Sequence, residues 1–559
     1  MNKLLTLCAF LVLACSSDYE LLCVDEVSLS TFPATNVTRT SATLNGLIST
    51  ASINCDTLTT QRQGFVYSRQ RQPVIGDFEI NVDGDSINTT IENLEPNTAY
   101  YFRTFAINPV ANLYADKDEE IRRFVTHLDD VPTNCDVVYL GENGITIKAC
   151  ESANIGDVGT INGIEYTVVS ELNLRQMILN NSDISSVCTS KITEMDRFFY
   201  QNDVFNQDIS SWDVSNVISM SQMFEESVFN QDISNWDVRN ASDMYAMFKD
   251  NSVFNQPIGD WNVGSVNKMG RMFQGNSAFN QPINNWDVGS VDEMWYMFYN
   301  ASNFNQPIGN WNVSGVNNMY SMFSGATSFN QDIGNWDVSN VTDMKDMFGY
   351  AVKFNQDISS WDVGNVTNME DMFRQASSFN QDISSWDVSN LISMESMFNA
   401  AVVFNQDIGG WDVSKVTNMT NTFNYAINFN QDISSWDVSN VTVMYTMFTE
   451  ASSFNQDIGS WDVSNVIGMS SMFDGAEVFN QDLTKWCVTN ITSEPTTFST
   501  SSALTEANKP KWGTCPSSDL AIVETISQYN GFNISCSGQD DGFIDITVTG
   551  GVAPYTYAW

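Results

Sequence analysis

The chain has 559 residues, enough for several domains. With 42% hydrophobic and 12% aromatic residues it can bury a core, which excludes a chain that is disordered throughout. The 67 Asp and Glu against 24 Lys and Arg give a formal net charge of -43. Such a surface repels nucleic acid and anionic membranes, and it suits an extracellular protein that binds cations or neutral sugars.

The N-terminus is predicted to direct export. The apolar run Leu4–Leu13 is shorter than the roughly 18 residues that cross a membrane, so residues 1–14 are predicted to be a signal peptide. The sequence Val12-Leu13-Ala14-Cys15 resembles a bacterial lipobox, which implies acylation of Cys15 and a lipid-anchored linker at 15–26. The alternative is an ordinary signal peptide cut nearby. We therefore expect an outer-membrane lipoprotein at the cell surface, or otherwise a secreted protein.

Residues 27–128 alternate strand-like runs with turns, a pattern typical of a β-sandwich. The runs are "TSATLNGLI" at 40–48, "QGFVYSR" at 63–69, "INTTIENLEPNTAYYFRTFAIN" at 87–108 and "RRFVTH" at 122–127. Leu94-x-Pro96-x-Thr98-x-Tyr100-x-Phe102 resembles the corner of a fibronectin type III domain. The resemblance implies that the Tyr100 hydroxyl bonds back to the chain and that this is a spacer or adhesive module.

Residues 131–190 are predicted to cap a repeat array. The strand-like runs "GITIKA" and "GIEYTVV" precede the helix-like "SELNLRQMILNN", in which Ser170 is a suitable N-cap. The array begins directly afterwards, and the first coil of a stacked array would otherwise expose an apolar face.

A tryptophan then recurs at a nearly constant interval, 24 residues for the first step and 25 for every later one. A fixed period of this size indicates a solenoid, in which each coil contacts mainly its neighbours. We predict a twelve-coil solenoid at 191–486 and a C-terminal cap at 487–516. The twelve tryptophans are Trp212, Trp236, Trp261, Trp286, Trp311, Trp336, Trp361, Trp386, Trp411, Trp436, Trp461 and Trp486.

Each 25-residue coil divides into two parts. In Val341-x-x-Met344-x-x-Met347-Phe348-x-x-Ala351 the apolar residues have helical spacing, which predicts a short helix. In Phe329-Asn330-Gln331-Asp332-Ile333 they alternate, which predicts a short parallel strand. The predicted fold class is therefore a mixed α/β repeat solenoid with a short strand and a short helix in every coil, preceded by a β-sandwich domain.

The coil pattern Val-x-x-Met-x-x-Met-Phe-x-x-Ala-x-x-Phe-Asn-Gln-x-Ile-x-x-Trp-x-Val resembles the 25-residue repeat of bacterial surface proteins, which is related to the BspA-type leucine-rich repeats. The resemblance implies a cell-surface solenoid linked to adhesion. In residues 517–559, Cys536-x-Gly538-x-x-Asp541-Gly542 and the following Thr549-Gly550-Gly551 are similar to the SprB repeat of a flavobacterial gliding adhesin. The sequence stops inside that module, so we expect a truncated β-module.

The sequence contains few of the residues that catalytic sites commonly use. His127 is the single histidine, so mixed Cys and His zinc sites and His-assisted nucleophiles lack components. Paired carboxylates hydrolyse sugars, but an active site would be a singular departure from the repeat, and the sequence shows none. We predict no enzyme, no catalytic residue and no cofactor site. Among the cysteines, Cys487 and Cys515 flank the end of the array and are favoured as a disulfide, while Cys150 is expected to pair with Cys135 or Cys188.

Aspartates recur at one place in the coil and would stack as a column. Like charges repel, and hydration, bound Ca²⁺ or raised carboxylate pKa values would relieve that repulsion. Prolines interrupt the column at Pro257, Pro282 and Pro307, which favours a solvated column over a metal site. The weak Ca²⁺ candidates are Asp332, Asp357, Asp382, Asp407, Asp432 and Asp457.

The columns of Trp, Phe and Met are predicted to be core, although an exposed Trp row would be a platform for sugar stacking. The nearly constant sheet face is the candidate ligand face, and its groups are Asn330, Asp332, Asn355, Asp357, Asn380, Asp382, Asn405 and Asp407. Identical weak sites in series suit a repetitive ligand. The sequence thus predicts an adhesin that engages an extracellular glycan or a matrix or cell-surface protein. The alternatives are a passive stalk that presents the C-terminal module and, third, a glycan-active enzyme.

Overall fold

The computed structural model describes residues 24–53, 62–84, 86–96, 98–107, 112–114, 121–126, 135–516, 521–526 and 544–549. The chain divides into two compact units, Met1–Cys135 and Asp136–Trp559. The predicted signal peptide, the predicted acylation site Cys15 and His127 lie outside the described residues. Across the part of the chain that the structure describes, no helix has both the length and the apolar character of a membrane span.

The N-terminal unit consists of two antiparallel sheets. Its strands are β1 (Val24–Thr35), β2 (Ala42–Ile53), β3 (Arg62–Ser68), β4 (Phe78–Asn81), β5 (Ser86–Ile91), β6 (Ala99–Ile107), β7 (Asn112–Tyr114) and β8 (Arg122–Val125). One sheet has the order β1-β2-β5, and the other has β4-β3-β6-β7 with β8 also paired to β6. The alternating apolar residues of both sheets enclose one core around Leu44, Phe65 and Phe102. The Tyr100 hydroxyl accepts a hydrogen bond from the backbone N–H of Glu95 (3.0 Å), as the corner motif implied.

The C-terminal unit opens with the segment predicted to be a cap. Strands β9 (Val138–Leu140) and β10 (Ile147–Ala149) pair, and β11 (Val158–Ile161) pairs with β12 (Ile164–Val168). Helix α1 (Glu171–Leu179) follows, with the Ser170 hydroxyl accepting from the N–H of Asn173 (3.2 Å) as its N-cap. β13 (Val187–Cys188) then adds to β12 in parallel. Leu174 and Ile178 of α1 belong to the same core as the array that follows.

The predicted fold class, a mixed α/β repeat solenoid, is wrong. Within the described residues α1 is the only α-helix, and most of the regular structure of the chain is strand. The twelve copies of the 25-residue motif contain neither a helix nor an extended strand. Each copy is a succession of turns, and consecutive copies are joined by single parallel bridges, such as Asp343 to Asn368.

The helix fails to form because its backbone hydrogen bonds run to the next copy. Asp346 and Tyr350 have φ of 54° and 57°, in the left-handed region that a helix does not contain. Alternate N–H groups donate to carbonyls 24 residues further on, and the intervening ones close turns inside the copy. The bonds between copies are Met344 to Asn368 (3.0 Å), Asp346 to Glu370 (2.7 Å), Phe348 to Met372 (3.0 Å) and Tyr350 to Arg374 (2.6 Å).

The predicted strand fails for a related reason. In the Phe-Asn-Gln-Asp-Ile segment the backbone N–H of Asn330 donates to the side-chain oxygen of Asn305 (2.9 Å). A side-chain amide thus takes the place that a neighbouring strand's carbonyl would have, so no backbone ladder is built there.

The aromatic and methionine columns form one continuous core, which contains residues from Val169 to Leu504. Trp361 is 3% exposed, and Met347 and Phe348 are fully buried. Neighbouring copies stack like rings, with the Trp336 and Trp361 ring centroids 6.5 Å apart and their planes 2° from parallel. The prediction that these columns are core is confirmed, and the buried Trp row offers no platform for sugar.

The array ends in a segment that continues the stack. The N–H of Leu483 donates to the carbonyl of Asn508 (2.9 Å), next to a short 3₁₀ turn at Glu506–Asn508. Cys487 and Cys515, the pair favoured by the sequence, form a disulfide. Cys150 is disulfide-bonded whereas Cys188 is a free buried thiol, so a Cys150–Cys188 pair is excluded. Beyond this segment β14 (Ala521–Ile526) pairs antiparallel with β15 (Ile544–Thr549).

Candidate functional site

The asparagines of the predicted ligand face are engaged by neighbouring copies. The side-chain oxygen of Asn330 accepts from the backbone N–H of Asn355 and from the Gln356 amide, both at 2.9 Å. The same bonds recur at Asn355, Asn380 and Asn405. All four asparagines are half-buried. The repeated Asn-Gln dipeptide therefore holds the copies in register. The aspartates are the polar groups of this face that do not bind a neighbouring copy through their side chains.

The aspartates of that face are exposed and closely alike. Asp332, Asp357, Asp382 and Asp407 each accept, through one carboxylate oxygen, the backbone N–H two residues later at 2.9–3.0 Å. Hydrogen bonds from the Ser359 side chain and backbone hold the pKa of Asp357 below its ordinary value. The pKa shift is thus opposite to the rise that repulsion along a column would cause.

A second aspartate column caps turns. The Asp337 carboxylate accepts from the N–H of Ser339 (3.1 Å) and from its hydroxyl (2.6 Å), which lower the pKa of Asp337. Asn312 accepts the same two bonds from Ser314. An amide replaces a carboxylate here without loss of the turn, so the hydrogen-bond acceptor matters more than the charge.

The aspartates named for Ca²⁺ stand one to a copy. Asp332, Asp357, Asp382, Asp407, Asp432 and Asp457 are all exposed and each is bound to its own turn. Nowhere in the described ranges do three or more His, Cys, Asp or Glu side chains meet in a group that could hold a metal ion. The structure therefore places these carboxylates in a row, one in each copy, and does not group them.

Sequence reasoning found no singular departure from the repeat, but the structure contains one on the turn side of the array. A cavity of about 450 Å³ is bordered there by Tyr299, Tyr320 and Tyr350. Lys345, Asp346, Asp371 and Arg374 supply its charged groups. We call it the turn-face cavity. These residues come from four successive copies, and each occupies a position that varies along the array. Aligning the copies in the sequence could have found them. Tyr299, Ser324, Gly349 and Arg374 are 25 residues apart, so they occupy the same position in successive copies.

The carboxylates of the turn-face cavity differ from those of the constant face. Burial raises the pKa of Asp346, against hydrogen bonds from Ser324 and Ser321. Burial likewise raises the pKa of Asp371, against the nearby guanidinium of Arg374 (3.5 Å). The carboxylates of the turn-face cavity thus differ from the exposed rows in both burial and the direction of their pKa shift.

The sequence model described as "Mycoplasma protein of unknown function, DUF285" matches the chain at 167–274, 227–333, 250–358, 327–425 and 401–512. Together these matches span more than half of the chain. The chain belongs to the DUF285 family. A SprB repeat matches 532–559, as the sequence indicated. No curated protein and no solved structure matches this DUF285 chain. The matches give no support to a BspA-type leucine-rich repeat or to a fibronectin type III domain.

Proposed function

We propose that this DUF285 protein is a cell-surface binding protein whose array engages a repetitive ligand, a glycan or a matrix protein, by many weak contacts. Its surface-type repeats and its SprB repeat support a cell-surface role. The finer parts of the proposal are adhesion as implied by the BspA-type likeness, a fibronectin type III-like spacer at 27–128 and a lipid anchor at Cys15. Catalysis and nucleic-acid binding are not part of it, given the acidic surface and the single histidine.

The observation that carries the proposal is the row of exposed carboxylates. Asp357, Asp382 and Asp407 lie in identical turns, and the asparagine bonds at 2.9 Å fix each copy on the previous one. From Asp332 onward the same group is therefore offered once per copy at a constant interval, after the three copies that carry Pro257, Pro282 and Pro307 in its place. A ligand that repeats at a matching interval binds several copies at once, and the second contact and those that follow are intramolecular.

A series of arrays that differ only in copy number tests the proposal. Deleting 404–478 joins Val403 to Phe479 in register and removes three copies, and duplicating the same segment adds three. Immobilised polysaccharides and matrix proteins serve as the ligand panel, read by surface plasmon resonance. We expect affinity for the bound ligand to rise from nine to twelve to fifteen copies. Equal affinity across the series would contradict the proposal.

A charge control isolates the aspartate row. The triple substitution Asp357→Asn, Asp382→Asn and Asp432→Asn removes charge but retains the acceptor of each turn, as the chain itself does at Asn262 and Asn312 in the other column. Weaker ligand binding with a slightly lower thermal stability is the expected outcome, because the three turns keep their acceptors but lose the charge that strengthens those hydrogen bonds.

The second candidate function is a passive spacer. The uninterrupted core from Val169 to Leu504 favours it, because a stack held together along its whole length suits a support for the SprB-matching segment. If no member of the copy-number series binds any ligand of the panel, the spacer is the better account.

A further inference from the structure

The turn-face cavity exists because small residues interrupt two columns of larger ones. In the column of Tyr299 and Arg374 the two intermediate copies carry Ser324 and Gly349. A Cβ on Gly349 would lie 1.8 Å from a carboxylate oxygen of Asp346, so the glycine is what lets that carboxylate occupy its place. The neighbouring column carries Gly325 beside Tyr350, with φ of 71° and 57°. The depression is therefore specified by these copies and is not a property of the repeat.

The charged groups of the cavity balance one another. Arg374 lies 3.5 Å from Asp371, and Lys345 lies 2.8 Å from Glu370. The Asp346 carboxylate accepts from the Ser321 hydroxyl at 2.9 Å. On a chain with a formal net charge of -43, a locally balanced cavity that carries both donors and acceptors is unusual. It neither concentrates positive charge for an anion nor groups carboxylates alone for a metal ion.

An aromatic cluster extends from one side of the cavity. The ring of Tyr296 lies 4.8 Å from that of Tyr320 and 5.1 Å from that of Tyr299, both edge to face. Arg271 lies over Tyr296 at 4.5 Å and over Trp295 at 4.7 Å. All of these rings are partly exposed. On the other side of the cavity Arg374 lies 5.3 Å from the ring centre of Tyr350, itself 36% exposed.

We propose that the turn-face cavity is a binding site for a neutral sugar, with the pyranose seated between Tyr320 and Tyr350. Aromatic rings pack against the apolar C–H face of a pyranose, while its hydroxyls donate to Asp346 and Asp371 and accept from Arg374. The volume of about 450 Å³ lies within the range of small-ligand pockets. Partial burial strengthens these hydrogen bonds relative to those of the constant face. Among the described residues these rings and charged groups come together around Tyr350, so we expect one such site, independent of the multivalent binding proposed for the aspartate rows.

Two substitutions test the site without disturbing the stack, because each introduces a residue that the array already carries in the same column. Tyr350 has a left-handed backbone, and the same column carries glycine at Gly325 and Gly475, so Tyr350→Gly introduces a residue that this position accepts. Asp346→Ser places the serine found at Ser321 and Ser396. Tyr425→Gly is the matched control, since Tyr425 is an exposed tyrosine of the same column with φ of 54°, outside the cavity.

The probes are neutral oligosaccharides, namely fragments of glucan, mannan, galactan and xylan, with an oligogalacturonate as an acidic comparator, titrated calorimetrically into the whole protein. We expect one neutral class to bind with a stoichiometry of one, Tyr350→Gly and Asp346→Ser to weaken it at least tenfold, and Tyr425→Gly to leave it unchanged. The deletion of 404–478 should retain that single site. Absence of binding to every neutral probe, tighter binding of the oligogalacturonate, or equal affinity in Tyr350→Gly would each overturn the proposal. A stoichiometry that follows copy number would instead place the sugar on the aspartate rows.

Discussion

The indole N–H of Trp361 donates to the backbone carbonyl of Ile333, 28 residues earlier, at 3.1 Å. The other eleven tryptophans that recur with the motif make the equivalent bond at 3.0–3.2 Å, Trp212 to Ile184 of the cap and the rest to the preceding copy. The bond is buried, and it gives the Ile333 carbonyl a second donor, from the next copy, beside the backbone N–H of Trp336 (3.1 Å). This explains why tryptophan, and not another large apolar residue, occupies all twelve places.

Trp361→Phe should therefore destabilise the array although it leaves an aromatic ring in the core. The substitution removes one of the two donors to the Ile333 carbonyl, which keeps the backbone N–H of Trp336 (3.1 Å), so we expect a cost of about 0.5–1.5 kcal/mol. Trp361→Ala adds a cavity, for a total of about 3–5 kcal/mol. Urea unfolding followed by far-UV circular dichroism measures both. A Trp361→Phe variant as stable as the parent would show that the indole bond contributes nothing.

The asparagine bonds between copies give a second stability test. In Asn355→Ala the N–H of Asn380 loses its acceptor and the Gln381 amide keeps only the backbone carbonyl of Asn355 (3.2 Å), so we expect about 1–3 kcal/mol of destabilisation. Asn355→Asp keeps an oxygen at the same place and should cost less than the alanine variant. If alanine and aspartate cost the same, side-chain shape and not the hydrogen bond fixes the register.

The sequence was sufficient to predict the repeat period and the core residues of the array. It was not sufficient to predict the backbone conformation within each copy. Residues such as Trp361, Met347 and Phe348 repeat with their spacing, and burial follows directly from that regularity. The conformation of Asp346 and Tyr350 could not be read in the same way. Residues of many types take the left-handed position in different copies, so no glycine or asparagine pattern marks it. The apolar residues have the spacing of a helix, but the backbone N–H groups that a helix would use donate to carbonyls of the next copy.

The turn-face cavity was missed for a different reason. The residues that border it occupy positions that vary from copy to copy, so no repeated column marks them. Tyr320, Asp346 and Tyr350 become neighbours only when successive copies are stacked in their exact register. That register depends on side-chain bonds such as Asn355 to Asn330, which the predicted strand ladder did not include.

Acid should destabilise the array through its exposed aspartates. Hydrogen bonds lower the folded-state pKa of Asp357, Asp382, Asp412 and Asp437 below the ordinary 3.8. A depressed carboxylate pKa contributes stability that is present above pH 3.8 and is lost as pH falls through the folded value. The raised pKa values of Asp346 and Asp371 act in the opposite sense, because their protonation relieves a burial cost.

The aspartates whose pKa is lowered outnumber those whose pKa is raised. We therefore expect the melting temperature to be flat near neutral pH and to fall as pH drops below about 4. Scanning calorimetry between pH 3 and pH 7 measures this. Asp337→Asn serves as the control, because the amide preserves the turn but cannot titrate, and its variant should lose slightly less stability in acid. A melting temperature that rises on acidification would mean that the buried carboxylates dominate.

The disulfide between Cys487 and Cys515 should protect the C-terminal end of the array and little else. It closes a loop with a sequence separation of 28, which corresponds to about 3–4 kcal/mol of denatured-state entropy. Inside that loop the N–H of Val488 donates to Thr514 (2.9 Å) and that of Gly513 to Ile491 (2.9 Å), so the cross-link secures bonds that are already formed. Because each copy contacts mainly its neighbours, the double variant Cys487→Ser and Cys515→Ser should open locally. Hydrogen exchange should accelerate at Val488 and Gly513 while Phe348, in the middle of the stack, keeps its protection. Equal acceleration at Phe348 would show instead that the array unfolds as one cooperative body, with its end controlling the whole.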